Sequence, residues 1–580
     1  MSTNSSTNFN TRWAELTLEV LLAHQINYFC ISPGSRSTPL TLAASAHPQA
    51  RCVVIHDERG AAFHALGYAR ATGRAAALIC TSGTAVANYY PAVIEAAQDL
   101  VPLLVLSADR PPELRDCGAN QTIDQQHIYG GYVREFVEMP VPGPRYSPRY
   151  VVSQLEKALF QLKAAAPGPV HINFPFAEPL TPAPAQDTLS FDKEVQKLKL
   201  PQTRYAVTDT NTAPFLAPEQ GMLLLGRMSP FTETAPILQM ADRLGWPVLA
   251  DPLSGCRREG FVNAYDLLLR QPHIRQQWLN QPVDMILHLG LGFVSKALLQ
   301  FLDAYLAQHP ECHYVQVNQS LRPQDPNYRV QQHFVERPDA FARRVESQSH
   351  EVVSLSETRT FFQNQQHQAE IHLQQQLKEL PLSELTAINL CLEHLRDLPV
   401  FVGNSMAIRD VDLLLNHATA VRGSRGTSGI DGNISMVAGM VQGHIGPCAM
   451  ICGDLTLYHD LNALGTLNTL DHGVVVIVLN NRGGGIFSFL PVAHPRGGVG
   501  DPERVDRYFG TPHSWDFSHA APLFGLHYAT PRSLSELKSQ LQQALARARK
   551  GDSTLIEVHS NRDRNYREHQ QIYAMPPSPA

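Results

Sequence analysis

The sequence predicts an α/β protein built from three doubly wound parallel sheets, and three observations support this. Short apolar runs alternate with helix-length segments from residue 26 to 180, again from 222 to 317, and again from 400 to 479. This is the signature of repeated strand–loop–helix units with helices on both faces of a sheet. The runs Cys448–Cys452 and Val474–Leu479 lack the alternation of a half-exposed strand, so they read as parallel strands covered on both sides. At 580 residues the chain exceeds a single core and calls for three or four domains. We place three, at 1–182, 183–352 and 353–580.

In the first domain, Ile26–Ile31 is a strand, and Ser32–Pro39 is a turn that opens a helix. Cys52–His56 is the next strand, followed by Asp57-Glu58-Arg59-Gly60 and a helix through Arg70. Ala77–Cys80 runs into Thr81-Ser82-Gly83-Thr84, and Leu103–Leu106 ends at Ser107–Pro112. A proline-rich break at Pro179–Pro184 closes the domain. The second domain repeats the style with Met222–Leu225, Pro247–Ala250, Met285–Leu289 and Tyr314–Val317. Its strand ends carry little paired chemistry, and it reads as mainly structural. Residues 353–380, rich in Gln, Glu and His, read as an exposed helix and linker. From Pro399 the first pattern returns: Val400–Val402 leads to Gly403–Arg409, and Thr419–Arg422 leads to Gly423–Gly432 and a helix. Leu455–Leu470 reads as the crossover helix between the two apolar strands, and the polar tail after Asn561 as loosely held.

Composition is that of a soluble globular protein, with 43% hydrophobic and 17% charged residues. A net charge of −6 argues against a nucleic-acid partner, whose footprint would be basic. The chain has no run of 18 apolar residues, so no membrane insertion is expected. The polar start Met1–Asn8 lacks the apolar core of a secretion signal. Nine cysteines, scattered without Cys-x-x-Cys spacing, read as reduced thiols, and the expected location is cytoplasmic. Cys52 and His56 have no second pair to complete a metal site.

Chemistry concentrates at the ends of the two apolar strands. Asp454 follows the first and Asn481 the second, on the same side of a parallel sheet, where open α/β sheets bind ligands. A carboxylate, an amide oxygen and the glycine-rich backbone of Gly483–Gly485 are hard oxygen ligands, suited to Mg²⁺ that also takes phosphate. Either piece alone also suits a plain turn. Arg36, Arg110, Arg409 and Arg425 all fall shortly after strands. A single arginine there is usually just solvated. Four at corresponding places in a net-acidic chain point to polyanionic substrates held bidentately.

The spacing of Gly453-Asp454 and Asn480-Asn481 resembles the motif of thiamine diphosphate (ThDP)-dependent enzymes, Gly-Asp-Gly followed by Asn-Asn, with Leu455 in place of the last glycine. Within that superfamily, several stretches resemble the 2-succinyl-5-enolpyruvyl-6-hydroxy-3-cyclohexene-1-carboxylate synthase family of menaquinone and phylloquinone biosynthesis. They are Ser32–Leu40, His56–Gly60, Thr81–Asn88, Ala108–Leu114, Cys117–Gln121, Gly403–Ser405, Arg425–Gly432 and Ile486–Ser488.

The resemblance implies pyrimidine-binding, middle and diphosphate-binding domains, with ThDP and Mg²⁺ (or Mn²⁺ in its place) as cofactors. It implies a transferase that decarboxylates 2-oxoglutarate and adds the product to isochorismate. Asp454, Asn481 and the Gly483 carbonyl would hold the metal. Ser405 and Met406, exposed N–H groups at a helix start, would hold the diphosphate; for Ser405 an ordinary N-cap is the alternative. Ile430 would be the wedge that bends the cofactor, unless it only fills the core. Ile486 and Phe487 would wall the pocket. Glu58 would bond the aminopyrimidine ring and promote the tautomer that takes the thiazolium proton; alone it suits a helix N-terminal carboxylate.

Substrate contacts would come from Ser35, Arg36, Arg110, Asn120, Gln121, Arg409 and Arg425, although Asn120 and Gln121 also suit a turn. Family members often carry Lys-Arg in the middle domain. Here Lys296 is followed by Ala297, which removes one anticipated carboxylate contact. The family forms a homodimer or homotetramer with each site at a dimer interface, so Glu58 and Asp454 would come from different subunits. The competing readings are an acetolactate synthase-type carboligase using pyruvate, a non-catalytic ThDP-binding sensor, and a nucleotide-binding Mg²⁺ protein. The last lacks the phosphate lysine motif.

Overall fold

A computed structural model describes residues 8–183, 188–200, 218–229, 231–348, 357–493 and 501–576. It contains three all-parallel sheets. The first is built from β1 (Tyr28–Ile31), β2 (Arg51–Val54), β3 (Ala76–Cys80), β4 (Leu103–Asp109), β5 (Glu135–Glu138) and β6 (Pro169–Pro175), in the order β2-β1-β3-β4-β6-β5. The second holds β7 (Gly221–Leu225), β8 (Val248–Ala250), β9 (Met285–Leu289), β10 (His313–Asn318) and β11 (Gln332–Val335), in the order β11-β10-β9-β7-β8. The third holds β12 (Val400–Val402), β13 (Val421–Arg422), β14 (Cys448–Gly453), β15 (Val474–Asn480), β16 (His527–Ala529) and β17 (Thr554–His559), in the order β13-β12-β14-β15-β17-β16. The first and third sheets therefore share one strand order. In both, the order reverses between the first strand and the third, which leaves a crevice beyond the strand ends.

The expected buried strands are as apolar and as covered as the sequence indicates, with β14 and β15 buried almost throughout. Their register pairs Gly453 with Leu479, so the residues that follow emerge side by side. The chain divides into two compact units, Met1–Thr208 with Arg425–Ile445, and Asp209–Ser424 with Gly446–Ala580.

In the first unit the helix Glu58–Thr72 packs along the helix Asn433–His444. The approach is backbone-close. A side chain at Gly67 would strike the Met436 carbonyl, and one at Gly439 would strike that of His64.

Three expectations are corrected. The described part of the segment 353–380, from residue 357 on, is not a wholly exposed helix. Within Glu357–Glu379, Phe362, Ala369 and Leu373 are buried in a core shared with the second and third sheets; three apolar residues on one face suffice, however polar the remainder. The tail after Asn561 is not loose as far as it is described, to residue 576. Asn561 caps the helix Arg562–Tyr573, which buries Asn565, Glu568, His569 and Ile572. Polar composition misleads there because the buried face bonds its polar groups, His569 Nε2 lying 2.8 Å from Asp410 Oδ1. The crossover 455–470 is three short pieces, Asp454–His459, Leu461–Ala463 and Leu464–Leu467, in a stretch weakened by Asn462 and Gly465. The expected boundary at 352–353 falls outside the described residues.

Candidate functional site

At the third sheet, β14 delivers Asp454 and β15 delivers Asn481. Asp454 is 2% exposed. Its Oδ1 accepts from the Leu455 N–H at 2.7 Å and its Oδ2 from the Gly483 N–H at 2.9 Å. Gly483 adopts φ +141°, open to glycine alone, so the chain can fold back onto the carboxylate. Burial raises the pKa of Asp454, and the N–H donors of Leu455 and Gly483 and the His513 ring pull it back. Leu455 needs none of glycine's freedom, because it lies in the helix Asp454–His459.

Asn481 gives its Nδ2 to Glu384 Oε1 at 3.0 Å, while its Oδ1 is buried without a partner. A buried amide oxygen left unbonded is costly, and beside a buried carboxylate it is the lone pair a hard cation would take. The donor set Asp454, Asn481 and the Gly483 carbonyl thus fits Mg²⁺, with open positions for phosphate oxygens.

Ser405, after β12, stands at the N-cap of the next helix with φ +73° but makes no side-chain cap bond. Met406 begins the helix and is buried. Arg409 turns back on the same helix, its Nη1 donating to the Ser405 carbonyl. Phe487 packs on Phe509 with centroids 5.5 Å apart and, with Asn481 and His513, lines a cavity of about 790 Å³. Ile486 is its half-buried neighbour.

The first unit gathers the other candidates. Asp57 caps the helix that Glu58 opens, accepting from Gly60 N–H, which leaves Glu58 half-buried at the helix start. Arg36, after β1, is 8% exposed. Its N–H reaches Thr81 Oγ1 at 3.3 Å, and its guanidinium donates to the Phe176 carbonyl at 2.9 Å and pairs with Glu178 at 3.2 Å. Arg110, after β4, donates to Ser82 Oγ and to the Gln121 carbonyl. Burial and then the nearby charge of Arg36 lower its pKa. Ser35, Asn120 and Gln121 are exposed around them. The loop Arg425–Gly432, with Ile430, is tied to this unit by Glu95, whose carboxylate accepts from the N–H groups of Gly426 and Thr427 at 3.0 and 2.6 Å.

One unit therefore holds Ser35, Arg36, Glu58, Arg110, Asn120, Gln121, Arg425 and Ile430. The other holds Ser405, Met406, Arg409, Asp454, Asn481, Gly483, Ile486 and Phe487.

Comparison with known proteins bears on this division. Residues 11–128 match the family model "Thiamine pyrophosphate enzyme, N-terminal TPP binding domain". Residues 191–394 match "Middle domain of thiamine pyrophosphate" and 416–558 match "Thiamine pyrophosphate enzyme, C-terminal TPP binding domain". A Rubrobacter xylanophilus protein named 2-succinyl-5-enolpyruvyl-6-hydroxy-3-cyclohexene-1-carboxylate synthase is 39% identical over 97% of this chain and 98% of its own. The chain belongs to this synthase family. Synthases of the same name from Chlorobium chlorochromatii and Pelodictyon phaeoclathratiforme are 37% and 35% identical, each over 97% of this chain and over 97% and 95% of their own.

Three residues that bond the candidate side chains or their loops carried no signal in the sequence. His513 Nε2 lies 2.9 Å from Asp454 Oδ2, stacked at 3.4 Å on Trp515. Glu384 and Glu95 meet their partners across long stretches of chain. A lone His or Glu far from any motif looks like a surface residue until the fold closes.

Proposed function

We propose that the protein is a ThDP- and Mg²⁺-dependent transferase. It would release CO₂ from 2-oxoglutarate and join the remaining succinyl unit to isochorismate, giving 2-succinyl-5-enolpyruvyl-6-hydroxy-3-cyclohexene-1-carboxylate in menaquinone or phylloquinone biosynthesis. The observation that carries this reading is the unpartnered, buried Asn481 Oδ1 beside Asp454, in a chain similar over 97% of its length to synthases of that name.

Bound ThDP supplies the electron sink for decarboxylation. Asp454, Asn481 and the Gly483 carbonyl would hold Mg²⁺ (or Mn²⁺), while Ser405 and the N–H of Met406 would hold diphosphate oxygens. Glu58 would hold a proton at the pyrimidine, and Ile430 would pack against the cofactor. Arg36 and Arg110, with Ser35, Asn120 and Gln121 beside them, take substrate carboxylates; Arg409 and Arg425 take the others. Ile486 and Phe487 keep water from the reacting carbon.

Glu58 and Asp454 act from different subunits, so the smallest active assembly is a homodimer, alone or within a homotetramer. The pyrimidine-binding, middle and diphosphate-binding domains are 1–182, 183–352 and 353–580. The proposed location is the cytoplasm; no described helix is long and apolar enough to cross a membrane.

The test is mass-spectrometric product analysis with ThDP, Mg²⁺, 2-oxoglutarate and isochorismate. The named product is expected. Preferential CO₂ release from pyruvate would overturn the reading in favour of an acetolactate synthase-type enzyme.

A further inference from the structure

Asn481 can ligate a cation only if its amide faces the right way. The oxygen and the NH₂ group are similar in size, so packing alone does not choose between them. In this fold the choice is made from behind. Ser383 and Thr386 form a capping box that fixes the start of the helix Glu384–His394. Glu384, the first residue of that helix, is 2% exposed. Its Oε1 accepts from Asn481 Nδ2 at 3.0 Å and from Ser560 Oγ at 2.7 Å. The Ser560 N–H donates in turn to the Asn480 carbonyl at 2.9 Å, which ties the ends of β15 and β17 to the same carboxyl group. On the near side, a side chain at Gly485 would crowd Asn481 Nδ2, so bare backbone leaves room for the amide.

We infer that Glu384 is a positioning residue for the metal site: by accepting from Asn481 Nδ2 it turns Asn481 Oδ1 toward the ion. The inference rests on the proposed role of Asn481 as a ligand. Asn481 Oδ1 lacks a partner while Nδ2 bonds Glu384, and reversing the amide would place the NH₂ group against a cation and the oxygen against a carboxyl. Partners that orient a ligand in this way typically govern metal affinity about 10- to 100-fold.

The experiment uses the full chain stripped of metal and cofactor. ThDP binding is followed by calorimetry across a series of Mg²⁺ concentrations. Glu384→Ala should raise the Mg²⁺ concentration at half-saturation by about 10- to 100-fold. Glu384→Gln, whose amide oxygen can still accept from Asn481, should restore it to within about threefold.

A second background separates positioning from mere support. Asn481→Asp removes the N–H donor and sets two carboxyl groups together, so it should weaken Mg²⁺ binding. Adding Glu384→Gln to Asn481→Asp supplies a donor to the new carboxylate and should recover at least about tenfold. A purely structural Glu384 would give the same loss in both backgrounds, or none in either, and both results overturn the inference. If Glu384→Ala does not fold, the comparison of Asn481→Asp with and without Glu384→Gln decides alone. Asp454→Ala is the control for the underlying reading. If it leaves Mg²⁺-dependent binding intact, the metal assignment falls; if it abolishes binding while the Glu384 variants change nothing, only the positioning role falls.

Discussion

The first and third sheets have the same strand order and opposite chemistry at their strand ends. Beyond β1, β3 and β4 lie Arg36, Ser82 and Arg110, a cationic and hydroxylic rim. Beyond β14 and β15 lie Asp454 and Asn481, acceptors only at the atoms they present. One topology thus sets cationic and hydroxyl side chains at the strand ends of one unit and acceptor side chains at those of the other. The lesson is that the crevice comes from the crossover pattern, while its charge is set by two or three residues just past each strand.

The comparison can be broken at its cationic-ligand end first. Asp454→Ala should abolish Mg²⁺-dependent ThDP binding and product formation, read by calorimetry and by product mass spectrometry. If the variant keeps either, the third sheet is not the metal site. Glu58→Gln sharpens the contrast. Binding of ThDP should persist while turnover falls by about 10²- to 10⁴-fold, so kcat drops without a matching loss of cofactor affinity. Equal losses in both would make Glu58 a structural residue.

Acid should act on both cores, since burial also lowers His288 in the second unit to about 4. Burial depresses His64 and His171 from 6.5 to about 3, and both lie in the first unit. A base with a depressed folded pKa stays neutral in the fold while the unfolded chain gains a proton. Stability is therefore fully present above pH 6.5 and drains away as pH falls toward 3. The loss should reach the order of a few kcal/mol, and His64→Gln should flatten the slope in denaturant titrations from pH 7 to about 4. An unchanged slope would show that His64 does not carry it.

Smaller effects follow. Arg110→Ala should raise the KM for 2-oxoglutarate or isochorismate by about 10- to 100-fold, with kcat less affected. An unaltered KM for both substrates would remove Arg110 from the substrate site. The smallest change is Leu455→Gly, which matches the superfamily motif yet sits in a helix. It should cost about 0.5–1 kcal/mol in thermal stability and leave ThDP affinity unchanged. A gain in affinity would mean the position does need glycine's freedom.

Much was legible along the chain because strand ends in a parallel sheet are sequence-local. An apolar run followed at once by Gly-Asp or Asn-Asn places its polar residue at the crevice without knowledge of the rest. Helix 357–379 and the final helix were misjudged because burial of a few residues on one face, Phe362 or His569 among them, is invisible in average polarity. His513 was missed for a different reason. It reaches Asp454 from a separate loop, stacked on Trp515, and no spacing rule joins the two.

The sequence by itself determined the kind of sheet, where its strands end, and which acceptors and cations stand at those ends, since each follows from short-range pattern and residue chemistry. Only the tertiary structure decided how those groups are aimed. It set the Asn481 amide through Glu384, the Asp454 carboxylate through Gly483 and His513, and the Arg425–Ile430 loop through Glu95. Each of these orientations is a hydrogen bond between segments far apart in the chain, and such bonds are specified only once the apolar core has brought the segments together.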